Sequence, residues 1–146
     1  MKDSTILGEL LALRRLAQQH DEEELRAAMH ATGKCRENAA SAYDALERAE
    51  VRMTEVLSQT HFCPDSLVLA GYSIETAAGS MHEQAAALRE AEAVEAEAGA
   101  RWRAGHTLIE RMDARRRAAL RSELDAADHR AAEDHSALRV ARDAGT

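Results

Sequence analysis

Residues 28–56, AMHATGKCRENAASAYDALERAEVRMTEV, decide the fold of this chain. Small or apolar side chains recur in this stretch at alternating spacings of four and three residues, at Ala28, Thr32, Cys35, Ala39, Ala42, Leu46, Ala49, Met53 and Val56. This spacing places them on one face of an α-helix and is the seven-residue repeat of a coiled coil. The pattern predicts a long helix that packs against a second helix along this face.

A break in the helical pattern follows at residues 59–73, which hold the only proline, Pro64, and a glycine. A second amphipathic stretch begins after it. We therefore predict an all-α, antiparallel two-helix coiled-coil hairpin that forms one domain over the whole chain. Helix one is predicted at about 4–58, a short tip loop at 59–73, and helix two at about 74–143. Helix two is the longer, so its end after about Ala127 is predicted to overhang without a partner.

Apolar positions of the two helices match when the numbers of paired residues sum to about 130, and large side chains then tend to meet small ones. The pairs are Val56 with Ile74, Met53 with Ala77, Ala49 with Met81, Ala42 with Leu88, Ala39 with Ala91, Thr32 with Ala98, Ala28 with Trp102, Ile6 with Leu124 and Leu10 with Leu120. Trp102 is predicted to be the largest side chain in this interface. The break favours a partner helix from the same chain, although a helix from another chain would satisfy the same pattern.

The composition indicates a soluble helical protein with a thin interior. The chain has 32 alanines and only four aromatic residues, too few large side chains for a wide globular core. Its formal net charge of −7 argues against non-specific nucleic-acid binding. No apolar run approaches the roughly 18–20 residues of a membrane span, and no signal peptide is recognisable, so a cytoplasmic protein without direct membrane insertion is expected. Cys35 and Cys63 are predicted to lie too far apart for a disulfide.

The seven histidines do not fall into a recognisable metal or catalytic motif. None follows an acid by three residues, the spacing of di-iron helical bundles. His61 and Cys63 supply at most two ligands, whereas a structural zinc site needs four. We therefore expect no metal, no cofactor and no enzymatic activity. A metal-binding four-helix dimer remains as a minor alternative.

One cluster of charge stands out in this acidic chain. Seven arginines are predicted to lie close together where the chain termini meet, because the register brings Arg14 and Arg15 level with the arginines of helix two. These arginines are Arg14, Arg15, Arg111, Arg115, Arg116, Arg117 and Arg121, and we call them the arginine collar. They form either an ordinary solvated helix face or a docking surface for an acidic partner.

The segment Ala100-Arg101-Trp102-Arg103, continuing through Leu108, Arg111 and Arg115 to Asp125, Asp128 and Glu133, carries a family resemblance. With the helix–break–helix plan and the longer second helix, the chain resembles the FliJ/YscO family of type III secretion, of flagellar or injectisome type. The resemblance implies a central stalk of the export apparatus, located at the cytoplasmic face of the inner membrane. The stalk couples a hexameric ATPase to the export gate and binds export chaperones.

The resemblance also implies contact residues. The paired terminal ends of the family sit in the ATPase ring, where the arginine collar would make the contact. A face early in helix two, from Tyr72 to His82 here, would contact the cytoplasmic domain of the export-gate protein or a chaperone. The alternative function is a secretion chaperone or adaptor that holds an exported substrate on the hairpin surface.

Overall fold

The computed structural model describes residues 3–61 and 63–145. It contains two long α-helices, α1 over Asp3–Leu57 and α2 over Pro64–Ala144, and no strand in these residues. The two helices pack against each other, so the predicted all-α helical hairpin is confirmed. Close contacts group the described residues into two compact units. We call residues 3–21 with 102–145 the terminal unit, and residues 22–61 with 63–101 the middle unit.

The connection between the helices is shorter than predicted. It spans residues 58–63. Residues 64–73 are helical, so the predicted end of the 59–73 tip loop is wrong. Pro64 is the first residue of α2, a position that tolerates proline because its missing N–H has no partner within the helix. The Cys63 carbonyl accepts a hydrogen bond from the Leu67 N–H at 3.3 Å and closes the first turn. Pro64 therefore starts a helix instead of breaking one.

The heptad face predicted for α1 is confirmed within the middle unit. Every position of that face is buried or half-buried, and Ala28, Ala42 and Ala49 are each less than a tenth exposed. Ala98 of α2 is 2% exposed. Alanine at these positions lets two helices approach closely, which is why a chain with few large side chains still forms a packed interface.

The predicted register is wrong by about one heptad repeat in the middle unit. The fully buried Thr32 hydroxyl shares its single proton between two carbonyl oxygens, that of Ala28 at 3.0 Å and that of Ala91 at 3.2 Å. Ala91 precedes the predicted partner, Ala98, by seven residues. A shift of one heptad leaves the same faces in contact, so the apolar pattern alone does not fix the register. The short connection fixes it instead.

The terminal unit also departs from the predicted pairing. Ser4 pairs with Glu123, and Ile6 and Leu10, predicted to lie in the interface, are 38% and 47% exposed. Their predicted partners Leu124 and Leu120 are likewise exposed. From residue 124 to 145 every residue of the chain is exposed, so the predicted overhang of helix two is present.

Candidate functional site

The terminal unit has a polar interface between its two helix segments. The buried residues of α1 here are Ser4, Leu11 and Gln18, spaced by seven. The Ser4 backbone N–H and hydroxyl donate hydrogen bonds of 3.0 and 2.7 Å to the two carboxylate oxygens of Glu123. A carboxylate at this position satisfies an N–H of the first helical turn and interacts favourably with the helix dipole. Glu123 therefore fixes the start of α1.

Gly105 makes room for two polar side chains of α1. A Cβ at this position would collide with Oε1 of Gln18 and would lie 3.1 Å from Nη2 of Arg14. The Gln18 side-chain amide donates a 3.0 Å hydrogen bond to the carbonyl of Trp102. The Oε1 atom of Gln18 and the Nε atoms of Arg14 and Arg116 are buried without a hydrogen-bond partner. Such groups cost stability, so this interface is not optimised for packing alone.

Trp102, predicted to be the largest side chain in the interface, is half-buried. Its ring stacks on His106, with ring centroids 5.2 Å apart and an interplanar angle of 7°. The predicted pairing of Trp102 with Ala28 depended on the wrong register.

The arginine collar does not form as predicted. Arg14 lies beside Gly105, whereas Arg116 lies beside Gly8, with its Nε 3.3 Å from the position of a Cβ there. Positions 105 and 116 are separated by roughly 16 Å along a helix, so Arg14 and Arg15 are not level with Arg115 and Arg116. The remaining arginines of the predicted set face solvent, namely Arg15, Arg111, Arg115, Arg117 and Arg121. Within this set, Arg117 forms an ion pair with Asp113 at 2.7 Å.

The first turns of α1 expose large apolar side chains. Ile6, Leu10, Leu13 and Leu16 are 38%, 47%, 64% and 63% exposed, and we call them the leucine face. Ile6 and Leu13 follow the buried Ser4 and Leu11 by two residues, or about 200° around the helix, and so point away from α2. An exposed apolar face of this kind is a candidate binding surface.

Sequence reasoning missed the leucine face because it assigned Ile6 and Leu10 to the interface. A usable signal was present: Ser4, Leu11 and Gln18 continue the heptad of Thr32 toward the N-terminus at multiples of seven. Large apolar side chains usually occupy a helix interface, so the pattern favours Ile6 and Leu10 over Ser4 and Gln18. The structure has the opposite arrangement.

The predicted export-gate residues lie on α2 in the middle unit. Tyr72 is 70% exposed and forms an apolar patch with Val68 and Leu69, each about as exposed. His82 is exposed but lies ten residues further along α2, roughly 15 Å from Tyr72. The structure therefore groups Tyr72 with Val68 and Leu69 and does not bring it together with His82.

Cys63 is an exposed thiol at the N-terminus of α2. Hydrogen bonds from the Ser66 hydroxyl, and then from the backbone N–H groups of Ser66 and Asp65, lower the pKa of this thiol below its ordinary value. Cys35 is half-buried on the inward face of α1. Across residues 3–61 and 63–145, no group of three or more His, Cys, Asp and Glu side chains is placed to hold a metal ion.

Cys63 is expected to alkylate at lower pH than a cysteine in an unstructured peptide. The thiolate is the reactive form, and the lowered pKa of Cys63 raises its fraction at neutral pH. Ser66→Ala removes the largest of the stabilising hydrogen bonds and should move the midpoint of the rate–pH curve upward. Iodoacetamide labelling followed by mass spectrometry measures both curves, with half-buried Cys35 as the slow internal reference. Identical midpoints for Cys63 and the peptide would contradict the assignment.

Comparison with known proteins gives no match: neither a family model, nor a curated protein, nor a solved structure is similar to this chain. None of the helices described by the structure has the length and apolar content needed to cross a membrane. The described residues offer three candidate binding surfaces: the leucine face and the exposed arginines of the terminal unit, and the Tyr72 patch of the middle unit.

Proposed function

We propose that this chain is a non-enzymatic central stalk of a type III secretion export apparatus. In this role it couples the hexameric export ATPase to the export gate, at the cytoplasmic face of the inner membrane, and escorts export chaperones. The proposal rests on the resemblance of the segment around Trp102 to the FliJ/YscO family and on the surfaces of the terminal unit. The helical-hairpin fold is compatible with it.

The leucine face is the observation that carries the proposal. Folded proteins normally bury leucine and expose glutamine, whereas here Leu13 and Leu16 are nearly two-thirds exposed and Gln18 is buried. On α2 of the same unit, four arginines face solvent: Arg111, Arg115, Arg117 and Arg121. Apolar anchors with arginines nearby are the composition of protein–protein interfaces, so the terminal unit supplies the ATPase contact in this proposal.

The middle unit supplies the second contact. Val68, Leu69 and Tyr72 present an apolar and aromatic surface on the first three turns of α2. Aromatic side chains are enriched in interface hot spots. We assign this patch to the export gate or to a chaperone, with Tyr72 as its centre, and His82 as a peripheral residue of the same helix.

Hydrolysis assays with the export ATPase of the same organism test the proposal. The native chain should stimulate ATP hydrolysis, and Leu10→Asp with Leu13→Asp should abolish the stimulation. Arg111→Glu with Arg115→Glu should weaken it, since both side chains are exposed. Leu69→Asp is the matched control, because it places the same charge on an exposed leucine of the middle unit. Stimulation that is absent with the native chain, or unaffected by the leucine-face variants, would refute the ATPase contact.

A chaperone or adaptor is the second candidate, favoured by the exposed patch of Val68, Leu69 and Tyr72. Such a surface suits an amphipathic segment of an exported substrate. Co-purification with one exported substrate and not with the ATPase, lost in Tyr72→Asp, would select this function over the stalk.

A further inference from the structure

The end of α2 carries an apolar stripe that none of the described residues covers. Leu124, Ala127, Ala131, Leu138 and Ala141 recur at the three- and four-residue spacings of a coiled-coil seam, with Asp134 at the one remaining seam position. Leu124 and Leu138 are 56% and 68% exposed, and every residue from 124 to 145 is exposed. We call residues 124–144 the overhang.

The overhang alone is a poor helix energetically. Most helical stability in proteins comes from packing of an apolar face, and none of the described residues packs on this one. A helix that retains a seam pattern over its whole length is therefore expected to have a partner.

We propose that the overhang pairs with the overhang of a second copy of this chain, in antiparallel orientation. This pairing brings Leu124 of one copy to Ala141 of the other, and Ala127 to Leu138. Large side chains then meet small ones in four of the six layers, as interdigitation requires. The arrangement is two-fold symmetric, so each copy contributes the same surface.

The charges of the overhang select the antiparallel orientation. Its first half, residues 124–134, holds four acids and one arginine, and its second half, residues 135–145, holds two arginines and one acid. Antiparallel pairing sets the acidic half of each copy beside the arginine-containing half of the other. Parallel pairing sets acids beside acids, which is unfavourable. Arg139 and Arg142 are then near Asp125 and Asp128 of the second copy.

The inference is independent of the proposed function, since it uses only the overhang. Sedimentation of the full-length chain over a concentration series, from about 1 to about 200 µM, tests it. The native chain should show a concentration-dependent dimer. Leu124→Glu with Leu138→Glu should raise the dissociation constant at least tenfold, whereas Leu57→Glu, at an exposed leucine of the middle unit, should leave it unchanged.

Charge reversal and crosslinking establish the orientation. Arg139→Glu with Arg142→Glu should weaken the dimer, and adding Asp125→Arg with Asp128→Arg should restore it. In chains with Cys35→Ala and Cys63→Ala, oxidation should join an Ala127→Cys chain to a Leu138→Cys chain, and should not join two Ala127→Cys chains. A monomer at every concentration, a dimer that survives the overhang substitutions because it uses the leucine face, or a disulfide between two Ala127→Cys chains would each overturn the proposal.

Discussion

Replacing Leu11 with alanine is expected to lower the free energy of unfolding by about 2–4 kcal/mol. Leu11 is 1% exposed and is the largest fully buried side chain among the described residues. Truncating a side chain that is this completely buried removes its apolar contacts and leaves a cavity between the helices. Chemical denaturation followed by far-ultraviolet circular dichroism measures the change.

Leu13→Ala is the matched control for this prediction. It makes the same substitution two residues away, with the same difference in helix propensity, at a side chain that is 64% exposed. The expected loss of stability is within about 0.5 kcal/mol. Under the proposed function, Leu13→Ala should instead reduce stimulation of the export ATPase, so the pair of variants separates folding from partner binding. Equal losses of stability for Leu11→Ala and Leu13→Ala would mean that the leucine face is covered within the chain.

The inward face of α1 was predictable because it depends on a local property. The spacing of Ala28, Thr32 and the following heptad positions fixes which side of a helix is apolar, whatever lies opposite. The existence of two helices and of the overhang follows from the same pattern and from the position of Pro64.

The register was not predictable from that pattern. An alanine-rich interface looks much the same after a shift of seven residues, so the length of the connection decides which residues pair. Pro64 has two opposite effects on a helix: it interrupts an interior turn but suits the first position. Interpreting Pro64 as an interruption makes the predicted tip too long and pairs Thr32 with Ala98 instead of Ala91.

The same displacement explains the errors at the candidate site. The exposed arginines of α2 were predictable as a charged helix face, but the alignment of Arg14 with Arg116 depended on the register. The leucine face was not predicted because leucine is usually buried and glutamine is usually exposed. Leu13 and Gln18 depart from this rule, so a preference for leucine in the interface assigns these residues to the wrong faces of α1.

Replacing Ala98 with leucine is expected to lower the free energy of unfolding by about 1–3 kcal/mol. Ala98 is 2% exposed on the inward face of α2, in an interface narrow enough for the Thr32 hydroxyl to reach the Ala91 carbonyl at 3.2 Å. The three additional carbon atoms have no space there, so the helices must separate locally. The ion pair between Glu24 and Arg101, 3.2 Å long and one turn from Ala98, should weaken as they do.

Ala100→Leu provides the comparison for Ala98→Leu, because residue 100 is exposed on the same helix and the change in helix propensity is identical. Its effect should stay within about 0.5 kcal/mol. Urea denaturation of both variants beside the native chain gives the difference directly. If Ala98→Leu is as stable as Ala100→Leu, the interface has room for leucine, and close approach through alanine cannot be what holds the middle unit together. If Ala98→Leu alone is destabilised, the many alanines of this chain are explained by the distance between its two helices and not by helix propensity alone.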